Sequence, residues 1–235
     1  MENYNELKEN MWKHFFLTKK KGYNKYMFQL LDYPEHIIYN KEIMNNYKEN
    51  WRKHFNNNND LYLEIGSGSG NFISELSERE PNNNFICLEL RFKRLILATK
   101  KIANRVNRNV VFLRRRAEEI SNFLGEKEIS GVYINFPDPW EENEKNRVLQ
   151  EKFFTEILNL ILKKNGKIFF KTDHDKYYND ILQLINVLDN YKVVYNTSDL
   201  HSDEKNENNI KTEFELLFLH KHGKNINYIE IEKIN

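Results

Sequence analysis

The chain predicts a doubly wound α/β fold built on a mostly parallel sheet of seven strands, the last of them antiparallel. Three observations carry this reading. Short apolar runs alternate with amphipathic stretches along most of the chain, the pattern of parallel strands joined by crossover helices. The first of these runs, Leu61-Tyr62-Leu63-Glu64-Ile65, passes directly into Gly66-Ser67-Gly68-Ser69-Gly70. Glycines at such a junction let the backbone turn sharply and approach a ligand that side chains would block, beside the amides of the next helix. Finally, two late strand-like segments, 192–196 and 213–220, are separated by a polar loop instead of a helix, so the last strand is expected to return antiparallel at the sheet edge.

In order, residues 1–59 form a polar and aromatic extension with a Lys19-Lys20-Lys21-Gly22 cluster. Ile43, Tyr47, Trp51 and Phe55 recur four apart, which predicts one amphipathic helix docked on the domain that spans 60–235. Strand 61–65 and helix 71–79 follow, and Pro81 with Asn82 to Asn84 breaks that helix. Strand 85–89, helix 92–106, strand 109–113, a short helix 117–124 and strand 131–135 come next. Helix 151–162, closed by Asn165-Gly166, leads to strand 167–171 and helix 177–188.

With 235 residues, 40% hydrophobic and 30% charged, the chain suits one large α/β domain, and no apolar run approaches a membrane span. The N-terminus lacks the order of a secretory signal, and one cysteine makes no internal disulfide, so a cytoplasmic location is expected. A net charge of +1 is by itself no argument for nucleic acid.

The glycine turn does not match a dinucleotide fingerprint, because the sixth position from Gly66 is Asn71. Glu64, inside the strand ahead of the glycines, would repel a pyrophosphate but suits a cation such as the amino group of a methionine moiety. Glu89 closes the next strand at the spacing of an acid that binds ribose hydroxyls. The expected ligand is therefore S-adenosyl-L-methionine, with no metal. At the end of strand 131–135, Phe136-Pro137-Asp138-Pro139-Trp140 makes a stiff turn at the edge where open α/β sheets bind ligands, which holds the Asp138 carboxylate in place.

Taken together, Glu64 to Gly70, Glu89, Asn135 to Trp140, Phe170-Lys171-Thr172-Asp173 and Thr212-Glu213-Phe214-Glu215 resemble the bacterial tRNA (guanine-N7-)-methyltransferase family from Leu61 onward, most specifically in the PDPW segment. The resemblance implies a class I methyltransferase fold, S-adenosyl-L-methionine as donor, and a guanine in the variable loop of tRNA as acceptor. It places Glu64, Gly66, Gly68, Glu89, Arg116, Ala117, Asn135 and Asp138 at the donor, with Asp138 also catalytic. It places Asp173, Thr212, Glu213, Phe214 and Glu215 against the substrate guanosine.

Two positions depart from the family pattern. Arg116 stands where the family has Asp or Asn before an alanine, at an adenine-binding position. The basic segment after PDPW is replaced by Glu141-Glu142-Asn143-Glu144-Lys145-Asn146-Arg147, in which Lys145 and Arg147 are the candidates for the family's substrate lysine. Phosphate contacts fall to Lys19 to Lys21, Arg91, Lys93, Arg94 and Arg114 to Arg116. A methyltransferase acting on another substrate and a non-catalytic RNA-binding module are the alternative readings, and the residues do not distinguish a monomer from a homodimer.

Overall fold

The computed structural model describes residues 25–221 and 223–235. The Lys19 to Lys21 cluster lies outside the described residues. A single eight-stranded sheet in the order β1-β4-β3-β2-β5-β6-β8-β7 organises the chain. Its parallel strands are β1 (Ile37–Ile38), β2 (Asp60–Ile65), β3 (Asn83–Leu88), β4 (Val110–Leu113), β5 (Ile129–Asn135) and β6 (Leu162–Thr172). Two further strands, β7 (Tyr191–Thr197) and β8 (Asn227–Lys233), complete it, with β8 antiparallel to both β6 and β7.

The doubly wound, mostly parallel sheet is as predicted, with three differences. There are eight strands, because the two residues of β1 pair with β4 at one edge. The segment 213–220 is not a strand but helix α8 (Glu213–Lys221), and the antiparallel strand is β8. That strand lies between β6 and β7, not at the edge. The local reason for the second difference is a capping box. Glu215 N donates to Thr212 Oγ1 at 3.0 Å, while Thr212 N donates to Glu215 Oε2 at 3.1 Å, which satisfies two donors at a helix start and overrides the apolar run behind it. In β8, Ile229 and Ile231 alternate with polar residues and are fully buried, which is the period-two signal of a half-buried strand.

The helices cover both faces. On one face, α4 (Asn71–Arg79) and α5 (Phe92–Ile102) pack Phe72, Ile73, Leu95 and Ile96 against Phe85, Cys87 and Phe112. The other face carries the larger core, in which Leu63, Ile86, Val132, Ile134, Phe170 and Ile231 meet a π-helical stretch (Phe153–Leu158) and α7 (Asp175–Val187). The predicted helix through 43–55 is two short ones, α2 (Lys41–Asn45) and α3 (Trp51–Phe55), separated at Glu49, whose φ is +61°. Trp51 is buried in the core, and its Nε1 donates to Phe123 O at 2.8 Å, so this part of the N-terminal extension packs on the sheet. Further helical segments include α1 (Lys25–Gln29), a 3-10 turn Ala117–Asn122 and the short α6 (Asn159–Ile161) that leads into β6.

Candidate donor and acceptor site

Parallel pairing aligns the carboxyl ends of β2 to β6, so the segments that leave them meet along one edge of the sheet. Beyond β2, Gly66, Gly68 and Gly70 have φ of +83°, +57° and +78°, a region that glycine enters without strain. Gly66 N and Ser67 N both donate to Leu88 O at 2.9 Å, which ties the turn to the end of β3. At Gly66 a Cβ would meet no atom within 4 Å, so the backbone faces open space. At Gly70 a Cβ would lie 2.6 Å from Ala98 Cβ, so this glycine lets α4 and α5 approach. Lys101 Nζ donates to Ser69 O at 2.7 Å and also bonds Asn71 Oδ1, steadying the loop from α5.

A cavity of about 190 Å³ opens over this turn. It brings together Glu64, Gly66, Gly68, Asn135, Thr212, Glu213 and Phe214, which are scattered through the sequence. Glu64 is 2% exposed, and burial pushes its carboxyl up to about 8, opposed by the neighbouring Cys87 thiol and Asn135 amide. Neither Glu64 Oε2 nor Asn135 Nδ2 completes a hydrogen bond, and Ser67 Oγ is also without one. A buried carboxyl, a buried amide and an open glycine backbone in one cavity form a polar cradle that a polar ligand can satisfy. The arrangement fits the ammonium and carboxylate of an amino-acid moiety, the former at Glu64 and the latter at Asn135 and the turn amides.

The start of α8 roofs the cavity. Ser69 Oγ bonds Glu213 Oε2, and the Phe136 and Phe214 rings lie 4.7 Å apart, so both the glycine turn and the proline turn support it. Glu215, which the resemblance places against guanosine, is 0% exposed. It accepts from Asn209 Nδ2 at 2.7 Å, from Thr212 N at 3.1 Å and from Lys171 Nζ at 3.3 Å, and it pairs with His201 Nε2 at 2.8 Å. Burial acts to raise its carboxyl, but the buried Lys171 ammonium and these donors hold it below the usual range. In this structure Glu215 is thus committed to fastening the start of α8. The substrate-side residues that remain accessible are Glu213, although it bonds Ser69 Oγ, the exposed Phe214, and Asp173, half-buried in the turn between β6 and α7.

Other predicted residues sit outside that cavity. Glu89 is buried at the end of β3, with Oε1 accepting Arg91 N at 2.7 Å. Asp138 is exposed and accepts Trp140 N at 3.0 Å through Oδ1, an Asx turn that fixes the carboxylate between its two prolines. Arg116 is exposed and Ala117 buried at the start of the 3-10 turn. Two basic candidates are structural instead. Arg115 is buried, with Nη2 donating to Tyr39 O at 2.7 Å. Arg147 is buried as well, with Nε donating to Pro139 O at 2.6 Å and Nη1 to Asp180 Oδ2 at 2.7 Å, which braces the proline turn. Arg147 therefore does not replace the missing substrate lysine, and Lys145 is the exposed cation of that segment. Sequence reasoning missed Lys171, His201 and Asn209 because their shared partner, Glu215, is distant in the chain; only the capping box was there to be read.

The Methyltransf_4 methyltransferase family matches residues 58–228. A tRNA (guanine-N(7)-)-methyltransferase of Clostridioides difficile is 34% identical over 203 residues, covering 86% of this chain and 91% of the relative. One from Clostridium botulinum is 36% identical over 176 residues, covering 72% and 80%. A bifunctional glycosyltransferase/methyltransferase of Fusobacterium nucleatum is 59% identical over 234 residues, and the chain spans 36% of its length. Among solved structures, the 16S rRNA methyltransferase KamB superposes with a TM-score of 0.57 at 13% identity, covering 83% of this chain and 92% of that one.

Proposed function

The chain belongs to the Methyltransf_4 family of methyltransferases, with a class I fold and S-adenosyl-L-methionine as methyl donor, and from that premise we propose that its acceptor is N7 of a guanine in the variable loop of tRNA. The observation that carries the proposal is the likeness, at 34% identity and over 91% of the relative's length, to a tRNA (guanine-N(7)-)-methyltransferase. The donor supplies an electrophilic methyl on a sulfonium. This chain's residues supply binding and alignment. Glu64 and Asn135 hold the amino-acid end, the glycine turn leaves room for it, and Glu89 ends β3 where ribose hydroxyls are read in this type of sheet.

Guanine N7 has an unprotonated in-plane lone pair, so the acceptor needs orientation and not a base. As the N7–methyl bond forms and the sulfur–methyl bond breaks, positive charge moves onto the purine. Carboxylates beside the crevice, Asp138 fixed on its proline turn and Asp173 after β6, stabilise that charge. Asp173 is the acid available to accept from guanine N1 and N2, a donor pair that adenine lacks. The exposed Arg91, Lys93 and Arg94 on the α5 side offer phosphate contacts.

A second reading, a methyltransferase acting on another acceptor, is favoured by the 59% identity to the bifunctional relative. Incubation with labelled S-adenosyl-L-methionine and unmodified bulk tRNA separates them. Label in tRNA supports the proposal, and no label in tRNA, with donor binding intact, supports the second reading.

A further inference from the structure

A second cleft, of about 660 Å³, takes in Trp140 at the end of the proline turn. Trp140, Arg116, Lys145, Gln150 and Lys152 are among the residues that line it. Trp140 is 43% exposed and makes no ring contact among the described residues. Its φ is +46°, a costly conformation for a bulky residue, and it is held there by the bonds from Trp140 N to Asp138 Oδ1 at 3.0 Å and from Asn143 N to Trp140 O at 2.8 Å. An indole displayed to water on this turn, two residues from Asp138, offers a free face on which a ring can stack.

Charge identifies the partner. Arg116 and Lys145 are exposed and take part in no ion pair among the described residues, whereas Lys152 is paired with Glu156 at 3.8 Å. Glu118 also lines the cleft, leaving two uncommitted cations against one uncommitted acid. A flat aromatic face beside two free cations suits an unpaired nucleotide, with the base on the ring and the phosphate at the cations. The two departures from the family pattern are Arg116 and the segment 141–147, and the fold brings Arg116 and that segment's Lys145 to one cleft.

We propose that this cleft binds the nucleotide adjacent to the acceptor guanine, its base stacked on Trp140 and its phosphate held by Arg116 and Lys145. The proposal rests on the RNA-acceptor reading above and extends it to a flanking subsite.

Stacking on an indole quenches its fluorescence, so the probe is a single-stranded purine octaribonucleotide titrated at low salt, with binding followed separately by anisotropy of an end label. The parent is expected to lose emission on binding. Trp140→Phe is expected to bind within a fewfold of the parent without that loss, and Trp140→Ala to bind about tenfold more weakly. Arg116→Ala and Lys145→Ala together are expected to flatten the dependence of log affinity on log salt by about 0.7 if they share one phosphate. Parent affinity in Trp140→Ala, undiminished quenching in Trp140→Phe, or an unchanged salt slope overturns the proposal. Should the parent bind and quench yet methylate no RNA, the acceptor reading falls and the cleft stands. If tRNA is methylated with the parent KM by Trp140→Ala, the cleft falls and the acceptor reading stands.

Discussion

Glu64 offers a quantitative test of the donor site. Its carboxyl is buried and pushed up to about 8, so in the free protein it is largely protonated at neutral pH. A cationic amino group brought against it favours the ionised form, so donor binding must expel the proton. With a pKa near 8 the ionised fraction rises from about 1% at pH 6 to about a quarter at pH 7.5, so donor affinity should increase roughly 20-fold across that interval. Calorimetry in buffers of different ionisation enthalpy should register close to one proton released per donor bound at pH 6. Glu64→Gln should bind more weakly than the parent at pH 7.5, release no proton and show a flat profile. The same group links folding to pH. The folded state retains a proton that the unfolded chain gives up above 4.5, so the parent loses stability as pH rises from 4.5 towards 8, and Glu64→Gln does not. Donor affinity in the parent that is constant from pH 6 to 7.5, without proton release, would refute the placement of the amino group at Glu64.

Three other substitutions probe the rest of the site. Asp138→Ala should lower kcat by roughly 10²-fold while tRNA still binds, measured by single-turnover methyl transfer beside filter binding. Asp173→Asn should impair methylation of tRNA with donor affinity intact, and parent rates would remove it from the guanine contact. Lys171→Met leaves the buried Glu215 without its cation and should cost about 3–5 kcal/mol in denaturant unfolding, whereas Glu215→Gln, which keeps a hydrogen-bonding group, should cost less. Gly70→Ala meets both the positive φ and the 2.6 Å approach of Ala98, and should destabilise by about 2–4 kcal/mol.

The parts of this molecule that were legible in its sequence are those written in local pattern. Leu61 to Gly70 reads as strand and turn because apolar periodicity ends on glycines, and the structure shows that turn with all three glycines at positive φ. The PDPW turn declares its stiffness in its prolines. What escaped is set by tertiary context. The apolar run after Thr212 is ambiguous between strand and helix by periodicity, and the reciprocal Thr212 and Glu215 bonds decide for helix. Ile37 and Ile38 form a strand only because β4 is there to pair with them. Arg115 looks like a phosphate contact in sequence and Arg147 like a stand-in for the substrate lysine, yet each is buried and donates to backbone carbonyls. Charge alone does not tell a brace from a ligand contact.

The central claim, guanine N7 methylation of tRNA, is tested most directly by mapping the product. Two tRNA transcripts, one with guanine and one with adenine at the variable-loop position, are incubated with the protein and S-adenosyl-L-methionine, reduced with borohydride and cleaved with aniline, which breaks the chain at N7-methylguanosine. The account predicts a single cleavage at the variable-loop guanine and none in the adenine transcript. Methyl transfer that leaves both transcripts uncleaved, or a cut elsewhere in the tRNA, would contradict it.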